Sequence, residues 1–218
     1  MSKTIVFGGW AVSPDVLKNV FGDDAIYIDI NRIMPKLFDG DQLKNDWTNI
    51  AATEYLLTNE NIPSTIAGWS TGAFFAYTAA REYHPERLIL FSATPSFCRK
   101  DDFHMGTRPS VIDQMIGALR DDKDTVLRSF YKRSGLCYDS SAVPNYTTAE
   151  LICGLMFLKQ ACLLPLAPLP IRPIFYHGTE DQIIPISASR YFSEQTNGER
   201  TDIDGGHAFF IDREVDIR

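Results

Sequence analysis

Gly68-Trp69-Ser70-Thr71-Gly72 is a G-x-S-x-G sequence that lies about one third of the way along the chain. It closes an apolar run from Ser64 to Trp69 that predicts a strand, and a helical pattern follows from about Thr71 to Glu82. A serine on such a strand-to-helix turn is presented for nucleophilic attack, and the flanking glycines let the helix pass close to the strand. The sequence therefore predicts Ser70 as a nucleophile, with the Thr71 N–H donating to the oxyanion that forms during attack.

The same alternation of strands and helices extends along the chain in both directions. Short apolar runs bounded by turn residues predict further strands, and apolar residues at helical spacing predict further helices. This alternation indicates a mainly parallel sheet flanked by helices, which is an α/β fold. The predicted strands cover 3–7, 25–30, 88–91, 173–177 and 200–203, and the predicted helices cover 46–59 and 186–195.

One long segment, residues 99–170, breaks the alternation. It shows helical periodicity in Val111–Leu119 and in Val126–Phe130 but no convincing strand. The segment is too long for a loop and too short for an independent domain with its own full core. We therefore expect residues 99–170 to form a helical lid inserted into a core that consists of residues 1–98 and 171–218.

A serine nucleophile needs a base, and the chain has four histidines. His207 is the preferred base because it follows the last predicted strand in a Gly-rich loop, in the chain order nucleophile, acid, histidine. His84 is expected to cap the helix after Ser70, and His177 is expected to be a core or turn residue. His104 lies in the lid segment, and its spacing alone does not exclude it.

The acid that orients the histidine should follow a strand between the nucleophile and the base. Asp181 fits because it lies in a Gly-x-x-Asp-x-x-x-Pro turn, where its carboxylate could accept the imidazole N–H and stabilise the imidazolium. Its neighbour Glu180 is expected to be solvated. Asp204 is an alternative, but it lies only three residues from His207, which is too close to brace the ring easily.

The second oxyanion donor should come from the loop after the first strand. That loop is Phe7-Gly8-Gly9-Trp10, and its glycines permit the backbone geometry that directs the Trp10 N–H into the site. The Trp10 ring either forms a wall of an acyl pocket or is a plain core residue; the sequence leaves both readings open.

Charge and composition limit the classes of function. The 218 residues carry 21 Lys and Arg against 28 Asp and Glu, a net charge of −7, which argues against generic binding of nucleic acid or anionic membranes. The sequence shows neither a signal peptide nor a membrane span, so a cytoplasmic location is expected. Four cysteines without metal-ligand spacing predict reduced thiols, no metal site and no cofactor.

With these residues identified, the chain resembles the α/β-hydrolase superfamily, and more narrowly the carboxylesterases of biotin synthesis that hydrolyse pimeloyl-acyl-carrier-protein methyl ester. The nucleophile and histidine motifs mark only the superfamily, whereas the passage from Pro95 to Phe103 is more specific to the biotin branch. The similar stretches are Gly9-Trp10, 68–72, 84–88, 92–97, 100–103, 178–181 and Gly206-His207.

The resemblance implies a catalytic triad of Ser70, Asp181 and His207 and oxyanion donors at Trp10 and Thr71. It also implies that Phe130 in the lid forms a wall for the acyl chain, beside the Trp10 ring if that ring lines the pocket. It further implies that the substrate is a carboxylic ester and that an acyl carrier protein is a possible partner. No cofactor or metal is implied.

Three departures from the family pattern bear on the substrate. Gly8 stands where these enzymes usually have a histidine before Gly-Trp, and so little sequence follows His207 that a terminal helix is expected to be missing. The lid arginines that would meet an acidic carrier do not match position by position. A basic group in the lid could serve collectively instead, or it could be a solvated helix face: Lys123, Arg128, Lys132 and Arg133.

Two other functions stay open at this point. A general short-chain esterase or thioesterase would keep the triad and change the substrate, and it would act on generic esters without supporting biotin synthesis. A non-catalytic binding protein of the same fold would not become labelled at Ser70 by a fluorophosphonate.

Overall fold

The computed structural model describes residues 3–56, 63–139 and 144–217. Its strands in chain order are β1 (Thr4–Phe7), β2 (Ile26–Ile28), β3 (Phe38–Asp39), β4 (Gln42–Leu43), β5 (Thr65–Trp69), β6 (Arg87–Phe91), β7 (Ile174–Gly178) and β8 (Glu199–Ile203). Six of them form one parallel sheet in the order β2-β1-β5-β6-β7-β8, and β3 and β4 pair as a short antiparallel hairpin. The predicted parallel sheet is confirmed, whereas the β3–β4 hairpin was not predicted.

Helices cover both faces of this sheet. They are α1 (Lys18–Phe21), α2 (Trp47–Leu56), α3 (Gly72–Tyr83), α4 (Pro109–Asp121), α5 (Lys123–Ser134), α6 (Thr148–Gln160) and α7 (Ile186–Gln195). The predicted helices after Ser70 and at 186–195 are confirmed, and His84 ends α3 in a left-handed conformation as its C-cap. The predicted helix at 46–59 is found as α2, and residues 57–59 lie outside the described residues.

Both faces of the central strands are buried, which explains why their sequences are continuously apolar rather than alternating. In β6, Leu88 and Leu90 pack on the side of α2, α3 and α7, while Ile89 and Phe91 pack on the side of α1 and the segment from α4 to α6. No helix in the described part of the chain is long and apolar enough to cross a membrane.

Between β6 and β7 the chain forms α4, α5 and α6, and none of the six sheet strands lies in the described part of this segment. α4 packs against both α5 and α6, so the three helices form one connected layer. The division into a core and a lid at residues 99–170 stays a prediction.

Two glycines allow α3 to approach the sheet. A Cβ on Gly68 would lie 2.5 Å from the Gly72 carbonyl oxygen and 2.7 Å from the Ala76 Cβ. A Cβ on Gly72 would lie 2.3 Å from the Phe7 carbonyl oxygen and 2.4 Å from the Gly8 oxygen, both at the end of β1. The helix therefore contacts the backbone of two neighbouring strands where they end.

A buried histidine lies near the end of β7. The side chain of His177 is fully buried, its Nε2 donates to the Ile184 carbonyl oxygen at 3.0 Å, and its Nδ1 has no partner within the described ranges. Burial lowers the pKa of His177 below its ordinary value, although the neighbouring Asp181 carboxylate opposes this shift. The imidazole is therefore neutral in the folded chain at pH 7.

We expect Gly72→Ala to destabilise the fold by about 2 kcal/mol or more, because the new methyl group must displace strand backbone rather than a flexible side chain. Gly117→Ala is the matched control. Nothing lies within 4 Å of the Cβ position at Gly117 in α4, so this change should stabilise the protein by about 0.5–1 kcal/mol. Urea denaturation measures both, and equal stability of the two variants would contradict the close contact.

The stability of the protein should depend on pH through His177. Below about pH 6.5 the unfolded chain binds a proton at this residue that the folded chain does not, so the free energy of unfolding falls as the pH falls. The slope from this one residue is at most about 1.4 kcal/mol per pH unit. His177→Gln should flatten the pH dependence of urea denaturation between pH 5.5 and 7, whereas His104→Asn, on the surface, should not. Parallel pH profiles for all three proteins would exclude this role of His177.

Candidate active site

Ser70 occupies a strained turn between β5 and α3. Its φ is +56°, a left-handed conformation that residues other than glycine seldom adopt, and its N–H donates to the Phe91 carbonyl oxygen of β6 at 2.9 Å. α3 starts just after Ser70, and Gly68 and Gly72 allow it to lie close to the sheet. The chain therefore has to change direction sharply at Ser70. The turn directs Ser70 into a cavity, where its side chain is one of the lining groups.

Asp181 and His207 form a buried pair. His207 Nδ1 lies 2.8 Å from Asp181 Oδ2, and neither side chain is exposed. The other carboxylate oxygen of Asp181 accepts the backbone N–H groups of Ile183 at 2.7 Å and Ile184 at 2.9 Å. Burial by itself would raise the pKa of Asp181, but the electrostatic attraction and hydrogen bond of His207, the neighbouring His177 and the Ile184 amide hold it below the ordinary value.

The protonation of His207 follows from this contact. An ionised carboxylate can only accept, so Nδ1 of the imidazole carries a proton, and in the neutral ring this tautomer leaves the lone pair on Nε2. Nε2 is buried and has no hydrogen-bond partner among the residues the structure describes, and no hydrogen bond joins it to Ser70. A catalytic base can have this arrangement in the absence of substrate, since the hydrogen bond between base and nucleophile is often long until substrate binds.

Two residues at the ends of neighbouring strands, Trp69 in β5 and Ser92 directly after β6, place the histidine beside the serine turn. The carbonyl oxygen of His207 accepts from Trp69 Nε1 at 3.0 Å and from Ser92 Oγ at 2.9 Å. The rings of Trp69 and His207 are also in contact, with their centroids 5.3 Å apart. Because Trp69 is the residue before Ser70, the His207 loop is fixed next to the nucleophile turn.

His177 is a second histidine next to the same carboxylate. Its Nε2 lies 3.4 Å from Asp181 Oδ2 while donating to the Ile184 carbonyl oxygen. The expectation of a core or turn residue agrees with its full burial, but its position against Asp181 was not foreseen.

The two predicted oxyanion donors are buried backbone amides without acceptors. Trp10 and Thr71 are 2% and 1% exposed, and neither N–H donates a hydrogen bond within the part of the chain that the structure describes. Buried amides without a partner are rare because each carries a desolvation penalty. Two of them beside Ser70, on the same cavity, fit a site for a developing negative charge.

The cavity has a volume of about 460 Å³ and a mostly apolar lining. The Trp10 ring is fixed by its Nε1, which donates to the Leu151 carbonyl oxygen of α6 at 2.9 Å, and it meets Phe130 of α5 edge to face at 4.8 Å. Trp10 and Phe130 therefore form adjoining parts of one wall. The other lining residues are Ser70, Thr71, Phe97, Thr107, Val111, Ile112, Gln114, Met115, Ala118, Thr125, Val126, Ser129, Arg133, Leu155, Leu158 and Ile183.

The C-terminal end of α5 contacts both the loop that carries Asp181 and the loop that carries His207. Arg133 donates to the Gln182 carbonyl oxygen at 2.6 Å, in the loop that carries Asp181. The Ala208 N–H donates to the Ser134 carbonyl oxygen at 3.0 Å, in the loop that carries His207. The helix that supplies Phe130 to the cavity is thus tied to both loops.

The alternative candidates lie elsewhere. Asp204 is exposed and accepts from Arg213 at 3.1 Å, and Glu180 is exposed next to Asp181. His84 caps α3 and His104 is an exposed residue, so neither is buried with Asp181 as His177 and His207 are.

Several residues that shape this site gave no usable signal in the sequence. The Trp69 side chain and Ser92 act through hydrogen bonds to a main-chain carbonyl 115 or more residues away, and such contacts follow from the fold rather than from spacing. Ser92 gives one weak signal, because it is a polar residue at the carboxyl end of a parallel strand, and ligand-binding sites of α/β folds lie at that edge of the sheet. No group of three potential metal ligands lies among the described residues.

Sequence comparison relates the chain to one kind of enzyme. No protein-family model matches it. A pimeloyl-acyl-carrier-protein methyl ester esterase from Xylella fastidiosa strain M23 is 25% identical over 172 residues, which cover 68% of this chain and 66% of the relative. The same enzyme from strain 9a5c is 26% identical over 170 residues. The match thus spans just under two thirds of the length of these curated relatives.

Structure comparison identifies the fold. The esterase from Exiguobacterium antarcticum superposes with a TM-score of 0.73 at 17% identity, over 97% of this chain and 87% of that one. BioG from Haemophilus influenzae superposes with a TM-score of 0.61 at 16% identity, over 96% and 90%. The chain therefore has the α/β-hydrolase fold, and in sequence it resembles the pimeloyl-acyl-carrier-protein methyl ester esterases.

Proposed function

We propose that the protein is a serine carboxylesterase that hydrolyses a carboxylic ester through an acyl-enzyme on Ser70. The observation that carries this proposal is the buried Asp181–His207 pair, 2.8 Å apart, fixed through Trp69 beside the strained turn of Ser70. A nucleophile, a base and an orienting acid on three separate loops at one edge of a sheet form the arrangement that acyl transfer requires.

In the first step His207 Nε2 takes the proton of the Ser70 hydroxyl as Oγ attacks the ester carbonyl carbon. Asp181 stabilises the imidazolium that results, because its carboxylate stays ionised. The imidazolium then protonates the leaving alcohol, the carbon–oxygen bond of the ester breaks, and the acyl group remains on Ser70. In the second step a water molecule gives one proton to Nε2 and its oxygen attacks the acyl carbon. The bond between this carbon and Ser70 Oγ then breaks, the acid is released, and Nε2 returns its proton to Oγ.

The negative charge on the carbonyl oxygen is greatest between these bond changes. We assign its stabilisation to the backbone N–H groups of Trp10 and Thr71, which are buried and have no acceptor among the residues that the structure describes. Donors that need no reorganisation at the moment of reaction stabilise the transition state more than the ground state. The N-terminus of α3, which follows Thr71, adds a partial positive charge on the same side.

The acyl group is assigned to the cavity beside Ser70. A volume of about 460 Å³ and an apolar lining suit a short aliphatic chain, and the wall of Trp10 and Phe130 would pack along it. The names of the curated relatives supply the finer proposal, a pimeloyl methyl ester carried by an acyl carrier protein, with methanol as the leaving alcohol and a role in biotin synthesis. Residues 99–170 would act as the lid over the bound acyl chain.

A carrier protein is acidic, so it would dock on basic groups near the cavity despite the net charge of −7. Arg128, Lys132 and Arg133 are exposed on α5, and Arg133 lines the cavity. Arg128 forms an ion pair with Asp124 at 2.9 Å, which weakens but does not abolish the positive electrostatic potential around Arg128. Lys123 instead donates to the Tyr146 carbonyl oxygen at 3.0 Å and is half-buried, so it contributes less to the exposed surface.

Ser70→Ala should lower kcat/KM for a short p-nitrophenyl ester by a factor of about 10⁴ or more, because it removes the nucleophile. It should also abolish covalent labelling by a fluorophosphonate probe, while circular dichroism stays unchanged. Ser193→Ala is the matched control, since this hydroxyl donates to the Arg190 carbonyl oxygen within α7 at 2.8 Å. If the native protein is not labelled at Ser70, the non-catalytic binding protein becomes the better interpretation.

The finer substrate proposal is tested by comparing one ester with and without its carrier. The protein should hydrolyse pimeloyl methyl ester on an acyl carrier protein at least about 10-fold more efficiently than free monomethyl pimelate, because the carrier adds electrostatic steering. Lys132→Glu should reduce only the reaction of the carrier-linked ester. Arg81→Glu, an exposed charge reversal near the far end of α3, should reduce neither. Equal efficiency on both esters would favour a general esterase or thioesterase.

A further inference from the structure

The loop that carries the Trp10 amide is held by one buried side chain that no motif identified. Asn31 follows β2 and is fully buried. Its Nδ2 donates to the Gly9 carbonyl oxygen at 3.1 Å, and its Oδ1 accepts the Ala11 N–H at 2.8 Å. The amide of Asn31 therefore bridges the two peptide groups on either side of Trp10.

The first of these bonds fixes the direction of the Trp10 N–H. The Gly9 carbonyl and the Trp10 N–H belong to one planar trans peptide, in which they point in opposite directions. Holding the oxygen toward Asn31 therefore turns the N–H away from it, toward the cavity that Trp10 and Ser70 both line. The N–H has no other acceptor in the described ranges that would hold it there.

The orientation of the Asn31 amide is itself determined by its surroundings. Its nitrogen faces two acceptors, the Gly9 oxygen and Asp29 Oδ1 at 2.9 Å, while its oxygen faces a backbone N–H. A flipped amide would place oxygen against oxygen and nitrogen against N–H, so only one orientation satisfies the contacts. Asp29 is held in turn by the Tyr146 hydroxyl, which lies 3.0 Å from Oδ2.

The residue after Trp10 shows that the loop is held in a strained conformation. Ala11 has a φ of +58°, a left-handed conformation that is unfavourable for any residue with a Cβ. Its N–H is bound by Asn31, and its carbonyl oxygen accepts from the Tyr131 hydroxyl at 2.9 Å. Strain of this kind persists where the surroundings over-determine the backbone, and it clusters at functional sites.

We propose that Asn31 is a positioning residue for the oxyanion hole, which orients the Trp10 N–H toward the carbonyl oxygen of the substrate. This inference rests on the proposed function, because it concerns the same reaction. Asn31 is not among the described residues that line the cavity, so it would act through the Gly9–Trp10 peptide. Its hydrogen bond to the Gly9 oxygen also polarises the peptide, which strengthens the Trp10 N–H as a donor.

The effect should appear in the transition state and not in substrate binding. Removing one oxyanion donor lowers kcat by about 10²–10³ in a well-studied protease, and here the donor stays on the chain but loses its fixed direction. We therefore expect a fall in kcat of about 10- to 100-fold with little change in KM. A trifluoromethyl ketone, which forms an oxyanionic adduct with a serine, should bind correspondingly more weakly.

Two variants and one control test this inference. Asn31→Ala removes both hydrogen bonds, and Asn31→Asp keeps the shape and the acceptor for Ala11 but replaces the donor to Gly9 with an oxygen. Tyr77→Phe removes a buried hydrogen bond of similar length, 2.7 Å to the Ala167 carbonyl oxygen. The measurements are kcat and KM for a p-nitrophenyl ester, the inhibition constant of the trifluoromethyl ketone, and the melting temperature. If the alanine variant does not fold, the aspartate variant decides.

Loss of kcat and weaker inhibitor binding in both Asn31 variants, with neither in Tyr77→Phe, would support the inference. A purely structural role would lower the melting temperature of all three variants and leave kcat and the inhibition constant unchanged, which would overturn it. The two proposals fail separately. A native protein that hydrolyses no ester contradicts the proposed function and with it this inference, whereas an active native protein with an equally active Asn31→Asp contradicts the inference alone.

Discussion

The contact between α3 and the ends of β1 and β5 is the constraint on which the site depends. Because Gly68 and Gly72 carry no side chain, the first turn of the helix lies against the backbone of Phe7 and Gly8. This leaves Ser70 only a left-handed conformation between strand and helix. The same contact brings the start of α3 next to the loop that contains Trp10, so backbone packing brings Ser70 and the Thr71 amide close to this loop, whose own conformation is held by the Asn31 side chain.

Buried charge is the second organising feature. A carboxylate in the position of Asp181 is unfavourable unless its oxygens are fully hydrogen-bonded. Two backbone amides and the His207 imidazole provide those bonds, and they keep the group ionised. His177 lies close to the same carboxylate but stays neutral because it is buried. Two histidines near one acid thus differ in role because of their surroundings, since His207 is placed beside Ser70 and His177 is placed against Ile184.

The sequence predicted the elements that depend on local pattern. The parallel sheet and the helices after Ser70 follow from apolar runs and from the G-x-S-x-G turn. The short β3–β4 hairpin was missed because two-residue strands carry no periodicity. Asn31 and Ser92 could not be identified, because an asparagine or serine after a strand is ordinary and its importance depends on which distant carbonyl it meets. Motifs with fixed spacing therefore predicted the candidates for the reacting groups, whereas the residues that hold those candidates could be identified only from the three-dimensional structure.

The attachment of α5 has a mechanical consequence. This helix is hydrogen-bonded to the loop that carries Asp181 through Arg133, and to the loop that carries His207 through the Ser134 carbonyl oxygen. It cannot swing away from the cavity as an independent flap without breaking both hydrogen bonds and releasing the two loops together. α4, which supplies Val111, Ile112 and Met115 to the cavity lining, has no such bond to either loop among the described residues. These two cavity-lining helices are thus held differently: a shift of α5 would break hydrogen bonds to the loops of Asp181 and His207, whereas a shift of α4 would leave those two hydrogen bonds intact.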